Sequence, residues 1–166
     1  IWIAYSLLEA SRLWQERRYA VLASVLAKRI LREETEHLPQ LGLTLLPGPY
    51  GFQLDENTWR LNPSYAPMQL LKRFAKAYPH SPWQEVHDTS YRLLIESAPA
   101  GLSPDWALYN PEKGFHFTRK HNDLGSFNSI RVYLWAALMH PEAEHAKPLI
   151  EHFNPMAKAT SKNNYV

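Results

Sequence analysis

Apolar residues recur at helical spacing in paired segments, and long stretches rich in Pro, Gly and aromatic residues separate the pairs; this rhythm constrains the fold more than any other feature. Ile3, Leu7, Ala10 and Trp14 keep the spacing over residues 2–14, and Tyr19, Leu22, Ala23, Leu26 and Ile30 resume it after a polar break at residues 15–18. Pro39, Gly42, Pro47, Gly48, Pro49 and Gly51 then punctuate a stretch in which Leu43, Leu45 and Leu46 suit a short extended segment. Helical character returns over residues 67–77 and 82–97, each opened by a Pro in the first turn, where its missing N–H costs nothing. A second Pro/Gly/aromatic stretch, residues 99–127, precedes a third helical pair near residues 129–139 and 141–153. Helix hairpins joined alternately by tight turns and long loops predict an all-α fold, either a ring of hairpins with the long loops gathered at one end or an ordinary bundle.

The 166 residues suffice for one domain with a real core. There is no initiator Met, and Ile1, Trp2, Ile3 and Ala4 enter a helical pattern with no Ser, Thr, Asp or Asn before it. A helix begun without its cap leaves backbone donors unsatisfied, so the expectation is a single partial domain, residues 1–166, with N- and C-terminal parts missing. Such a partial ring would expose helix faces built to be covered, predicting self-association. A net charge of +2 is spread among interleaved acids and bases, so nucleic acid is not an expected partner. No apolar run approaches the length of a membrane span, and the absence of Cys removes disulfides and thiolate chemistry.

Five segments resemble glycoside hydrolase family 8, in its order and at about its spacing: residues 2–14 (WIAYSLLEASRLW), 45–52 (LLPGPYGF), 59–65 (WRLNPSY), 101–106 (GLSPDW) and 130–135 (IRVYLW). The similarity is greatest to the endo-β-1,4-glucanases of bacterial cellulose-secretion systems. It implies an (α/α)6 toroid, of which this stretch supplies roughly the central half. It also implies a periplasmic or secreted cellulase with no cofactor or metal, cellulose chains as substrate, and the cellulose-synthase export machinery as a partner.

Inverting hydrolysis needs one carboxylic acid to protonate the leaving oxygen and one carboxylate across the sugar to activate a water. By the resemblance the acid is a Glu upstream of Ile1. The base is an Asp between an aromatic and an Ala-x-Arg, and that position here reads Phe127, Asn128, Ser129, Ile130, Arg131. The amide oxygen of Asn128 can hold a water but has almost no basicity, so severe loss of hydrolysis is predicted. Engineered inactivation, natural divergence toward binding, or a base from elsewhere would each account for it. Asp123 is the nearest spare carboxylate in sequence, though a flexible loop fixes a water poorly.

Tyr65 matches the family tyrosine beside the nucleophilic water, and Asn62 is expected to order the same loop and reach substrate. Arg131, one turn past Asn128, shares its helix face and can orient a carboxylate or bind a sugar hydroxyl. Glucose rings present apolar faces edged by hydroxyls, so Trp106 beside Asp105 and Trp59 beside Arg60 are the candidate platforms. Trp2, Trp14, Trp83 and Trp135 lie on helical faces and are assigned to packing. His140, His145 and His152 are not spaced to share one face, so no metal site is expected among them. Beside the hydrolase stand two alternatives: a non-catalytic β-glucan-binding protein on the same scaffold, favoured by Asn128, and a helical interaction module without a sugar site.

Overall fold

The computed structural model describes residues 1–117 and 125–163. Helices α1 (Trp2–Trp14) and α2 (Arg17–Glu33) form the first hairpin, turning through Gln15 in the left-handed region at φ 56°. Ile1, at the cap position of α1, makes no side-chain cap bond. The second hairpin is α3 (Met68–Ala77) and α4 (Trp83–Glu96), and α5 (Ser129–Ala137), α6 (Ala146–His152) and α7 (Asn154–Asn163) complete the helices among the described residues. The expected helix over residues 141–153 is shorter at its start. Residues 140–145 make turns, with Ala143 N bonded to His140 O, and His145 adopts φ 67°, which an α-helix cannot contain. Helix α7 was not anticipated, because it buries no residue and so carries no apolar period.

Both long loops contain strands. β1 (Thr35–Leu38) pairs with β2 (Gly42–Leu45), where an extended segment was expected. β3 (Gln53–Asp55), β4 (Thr58–Leu61), β5 (Ala107–Asn110) and β6 (Gly114–His116) form an antiparallel sheet in the order β3-β4-β5-β6. Strands of three or four residues are too short for a period-two pattern to emerge from sequence. This sheet stitches the two long loops together, with Trp59 opposite Tyr109, Arg60 opposite Leu108 and Leu61 opposite Ala107.

The core has three centres. Between the first two hairpins, Ala4, Ala27, Ile30, Leu70, Leu71, Phe74, Trp83 and Val86 pack together. Phe74 stacks on Trp83 at 4.7 Å. Leu94, Val132, Ala136, Leu149 and Phe153 join α4 to α5 and α6. Leu38, Leu41, Trp59, Leu61, Leu93 and Tyr109 fill the space under the sheet. The β1-β2 hairpin is strapped to α4: Thr89 Oγ1 donates to Leu43 O at 2.6 Å, and Arg92 donates to Gln40 O and Leu41 O. Gly42, at φ 106°, lets this contact form, since a Cβ there would sit 3.0 Å from Thr89 Cγ2.

The tryptophans assigned to packing divide. Trp83 is fully buried, and the partly buried Trp135 meets Trp2 at 5.0 Å. Trp2 and Trp14, however, are 44% and 63% exposed, beside the exposed Ile3, Leu13, Val21, Leu22 and Val25. The outer faces of α1 and α2 are therefore apolar and uncovered. Trp83→Ala should lower unfolding free energy by about 3–5 kcal/mol, as for other large aromatic truncations in cores. Trp14→Ala should stay within about 0.5 kcal/mol. Urea midpoints of the two variants measure the contrast.

Candidate functional site

The site begins at a 3-10 turn, Pro63–Tyr65, that follows β4. Asn62 caps it: its Oδ1 accepts the Ser64 amide at 3.0 Å and the Ser64 hydroxyl at 2.7 Å. Asn62 is only 3% exposed, so it orders the turn from beneath and offers substrate no surface. That corrects the substrate-binding half of its expected role. Its Nδ2 is buried without a partner. The turn projects Tyr65 outward, 41% exposed.

Helix α5 brings the second group. Arg131 donates to Ser64 Oγ at 2.9 Å and to Asn128 Oδ1, and its guanidinium lies 5.8 Å from the Tyr65 ring centre. Asn62, Ser64, Arg131 and Asn128 therefore form one continuous hydrogen-bonded chain. The Asn128 amide is oriented by the guanidinium, but neither of its heavy atoms can take a proton from water near neutral pH. Ser64 was not singled out in the sequence. Its signal was its place two residues after a capping Asn, which is a turn signal and not a chemical one.

Asp105 proves to be an anchor. Oδ1 accepts backbone N–H groups from Ser126 at 2.8 Å, Asn128 at 3.1 Å and Ser129 at 2.8 Å, while Oδ2 accepts the Ser126 hydroxyl. These are orphan donors at the start of α5, where a negative charge is favoured. Burial pushes the Asp105 carboxyl pKa up, but the Ser126 hydroxyl and the amides of Ser126, Ser129 and Asn128 together hold it below the usual value. Both oxygens are thus committed, which corrects the expectation that Asp105 binds substrate. Two further contacts press the same segments together. Ser103 N donates to the Tyr133 hydroxyl at 2.8 Å, and a Cβ on Gly125 would stand 2.7 Å from Ser103 O.

Trp106, the expected platform, lies next to this anchor at the centre of an aromatic cluster. Arg60 lies over its ring at 4.1 Å, Phe52 stacks nearly parallel at 6.1 Å and 11°, and Tyr65 meets its edge at 6.4 Å. Phe52 was not predicted, although it closes the Pro/Gly stretch 45–52. Trp59 does not belong here. Successive strand residues face opposite ways, so with Arg60 turned to Trp106 the Trp59 ring enters the core, 3% exposed, donating from Nε1 to Glu36 at 3.1 Å. Buried under the sheet, it cannot present a face to a sugar. Of the predicted residues the structure brings together Tyr65, Trp106, Arg60, Arg131 and Asn128, with Asn62 and Asp105 supporting them. Asp123 lies outside the described residues.

Comparison with known proteins follows this geometry. The sequence profile described as Glycosyl hydrolases family 8 matches residues 1–166. The chain is 45% identical over 166 residues to an endoglucanase of Escherichia coli (strain K12), covering 99% of this chain and 44% of that protein. It is 45% identical over 163 residues to an endoglucanase of Salmonella typhi, covering 98% of this chain and 43% of that one. The crystal structure of endo-1,4-D-glucanase from Vibrio fischeri ES114 superposes with a TM-score of 0.92 at 44% identity, covering 98% of this chain and 47% of that chain. The chain thus spans under half the length of the curated relatives it matches. Its helix hairpins are those of an (α/α)6 fold.

Removing the anchor has a signed pH signature. Asp105→Ala should cost about 0.5–2 kcal/mol, the range for lost helix caps. Because the folded carboxyl pKa is depressed, its stabilisation is complete above the unfolded carboxylate value of about 3.9 and is lost as pH falls through the lower folded value. The gap between parent and variant urea midpoints should be constant from neutral pH to about 5 and close on further acidification.

Proposed function

The chain belongs to glycosyl hydrolase family 8, and from that membership we propose that it forms part of an inverting endo-β-1,4-glucanase domain whose general base has been replaced by Asn128. The observation that carries this is the convergence of Tyr65, Trp106 and Arg131 around Asn128: Tyr65 lies 6.4 Å from Trp106 and 5.8 Å from the Arg131 guanidinium. An aromatic face edged by polar groups is what a β-1,4-glucan chain requires, since each ring buries an apolar face and keeps its hydroxyls hydrogen-bonded. Trp106, supported by Arg60 and Phe52, would carry one glucose ring. Tyr65 and Arg131 would flank the water-sized space beside Asn128.

The chemistry follows from the two-carboxylate requirement. Inversion places acid and base about 6.5–9.5 Å apart, with a water in line between the base and the anomeric carbon. The acid in this proposal is a Glu preceding Ile1 in the whole protein. At residue 128 an amide can position the water but cannot deprotonate it. Asp105 is a poor substitute, because its four accepted hydrogen bonds stabilise the anion and lower its basicity.

A second reading rests on the same amide: a protein that binds cellulose chains without cutting them. On this reading Trp106 and the 3-10 turn serve binding, and the amide at residue 128 takes no proton. In either case we place the protein in the periplasm or outside the cell, with cellulose during export as the glucan and the cellulose-synthase export machinery as neighbour. Fractionation of producing cells tests the compartment. The apolar outer faces of α1 and α2 also support self-association of the isolated chain; light scattering at increasing concentration should show a mass above one chain.

Asn128→Asp in the full-length protein should raise kcat/KM on carboxymethylcellulose by about 10²- to 10⁴-fold, the usual worth of a positioned base. Equal activity of the two forms would mean that Asn128 does not stand at the base position. Trp106→Ala should weaken cellopentaose binding by about tenfold or more in both backgrounds, the loss of about 1.4 kcal/mol or more of stacking. Unchanged binding would favour a helical module with no sugar site.

A further inference from the structure

Away from the aromatic platform, two histidines and two carboxylates meet where α4 packs against the segment leading into α6. His87 is on α4, with its side chain 1% exposed, and His145 immediately precedes α6. Their rings stack at 5.4 Å and 25°. Tyr91, one turn after His87 on α4, lies face to face with His145 at 3.8 Å and fixes its plane. Glu144 completes the group: ligand atoms of His87, Glu144 and His145 all lie within 4.8 Å of one another.

The orientations of the carboxylates suit a cation. Glu144 Oε2 takes the Lys72 ammonium at 2.5 Å, while Oε1 faces His145 Nε2 at 3.8 Å. One oxygen is therefore neutralised by Lys72, and the other is turned toward the imidazole. Asp88 Oδ1 sits 3.0 Å from His87 Nδ1, and a carboxylate beside a ring nitrogen is the usual outer partner of a ligating imidazole. His145 adopts φ 67°, a region that His tolerates.

We propose that His87, His145 and Glu144 form a binding site for a borderline divalent transition metal, Zn(II) above all, that clips α4 to the segment before α6. Two imidazoles and one carboxylate, with a fourth position for water, match the donors and coordination number of Zn(II). Metal–nitrogen distances of about 2.0–2.1 Å require the three side chains to close by on the order of 1 Å. Glu144, about half exposed, and the partly exposed His145 can make that movement, while buried His87 stays fixed. The site is separate in residues and elements from the Asn62, Ser64, Arg131 and Asn128 chain, so it serves the scaffold and not the hydrolysis. Because ligands from α4 and the segment before α6 meet only in the folded chain, ion binding adds to folding free energy. Sequence spacing could not reveal it: His145 was set beside His140 and His152, whereas its partner lies on a helix of the preceding hairpin.

The test is calorimetric titration of ZnCl2 into metal-stripped full-length protein, with Co(II) absorption as a second probe of imidazole ligation. Wild type should saturate with one ion at this site, show Co(II) d–d bands of a nitrogen-ligated centre, and melt at a higher temperature with Zn(II) than without. His145→Asn keeps a residue tolerant of positive φ and removes the imidazole. It and Glu144→Gln should each weaken Zn(II) binding by about tenfold or more, and Asp88→Asn by about 10- to 100-fold. His140→Asn, outside the cluster, should leave affinity unchanged. His87→Ala opens a cavity in a packed helix interface and can fail to fold, so the exposed-side variants, checked by far-UV circular dichroism, decide the matter. Absence of a saturable Zn(II) site, or equal affinity in wild type and His145→Asn, overturns the proposal.

Discussion

The carboxylate of Asp105 determines where everything at the functional end stands. It gathers the amides of Ser126, Asn128 and Ser129 and the hydroxyl of Ser126, and so docks the first turn of α5 onto the strand entry that carries Trp106. Those amides are orphan donors at a helix N-terminus, so one anion satisfies several groups that would otherwise lie unpaired in a partly buried place. With the turn fixed, Asn128 and Arg131 project from one helix face, and Arg131 reaches Ser64 on the 3-10 turn. The sheet formed by the two long loops then holds that turn against the platform through Arg60. Helix dipole, strand register and cation–π contact thus form one chain of support that begins at a single charge.

Much of this was readable in sequence because helical periodicity and turn chemistry are local. Helices α1, α3 and α4 stand within a residue of their expected bounds, with Pro67 and Pro82 marking the starts of α3 and α4, while α2 begins inside the expected polar break and runs to Glu33. What was not readable depends on partners far along the chain. Trp59 and Arg60 looked alike as groove residues until β4 paired with β5 and sent them to opposite faces. Asp105 looked like a sugar ligand because a carboxylate beside a Trp has that form, and only the return of residues 125–129 reveals what it accepts. Ser64 carries no chemical signal until Arg131 arrives from 67 residues away.

The proposed exchange at residue 128 would be structurally quiet for a reason visible in the same contacts. An Asn side chain has nearly the shape of an Asp, and the Asn128 oxygen accepts from Arg131. The backbone N–H of Asn128 is held by Asp105 whatever its side chain. On that reading these contacts survive the exchange, and the loss would fall on the ability to take a proton. Arg131 also donates to Ser64, so its guanidinium keeps two hydrogen-bond acceptors, both of them neutral.

That separation has a consequence for how the site can work. In the proposed site, binding of a glucan would draw on stacking area and hydroxyl contacts along Trp106, Tyr65 and Arg131, none of which needs a basic group. Catalysis draws on interactions stronger in the transition state than in the ground state, and proton removal from water is among them. Under the proposal, an amide in place of a carboxylate at residue 128 would lower the second without the first. On the proposed reading, a scaffold that keeps its anchor and aromatic cluster but carries an amide at residue 128 would hold a glucan chain without cutting it.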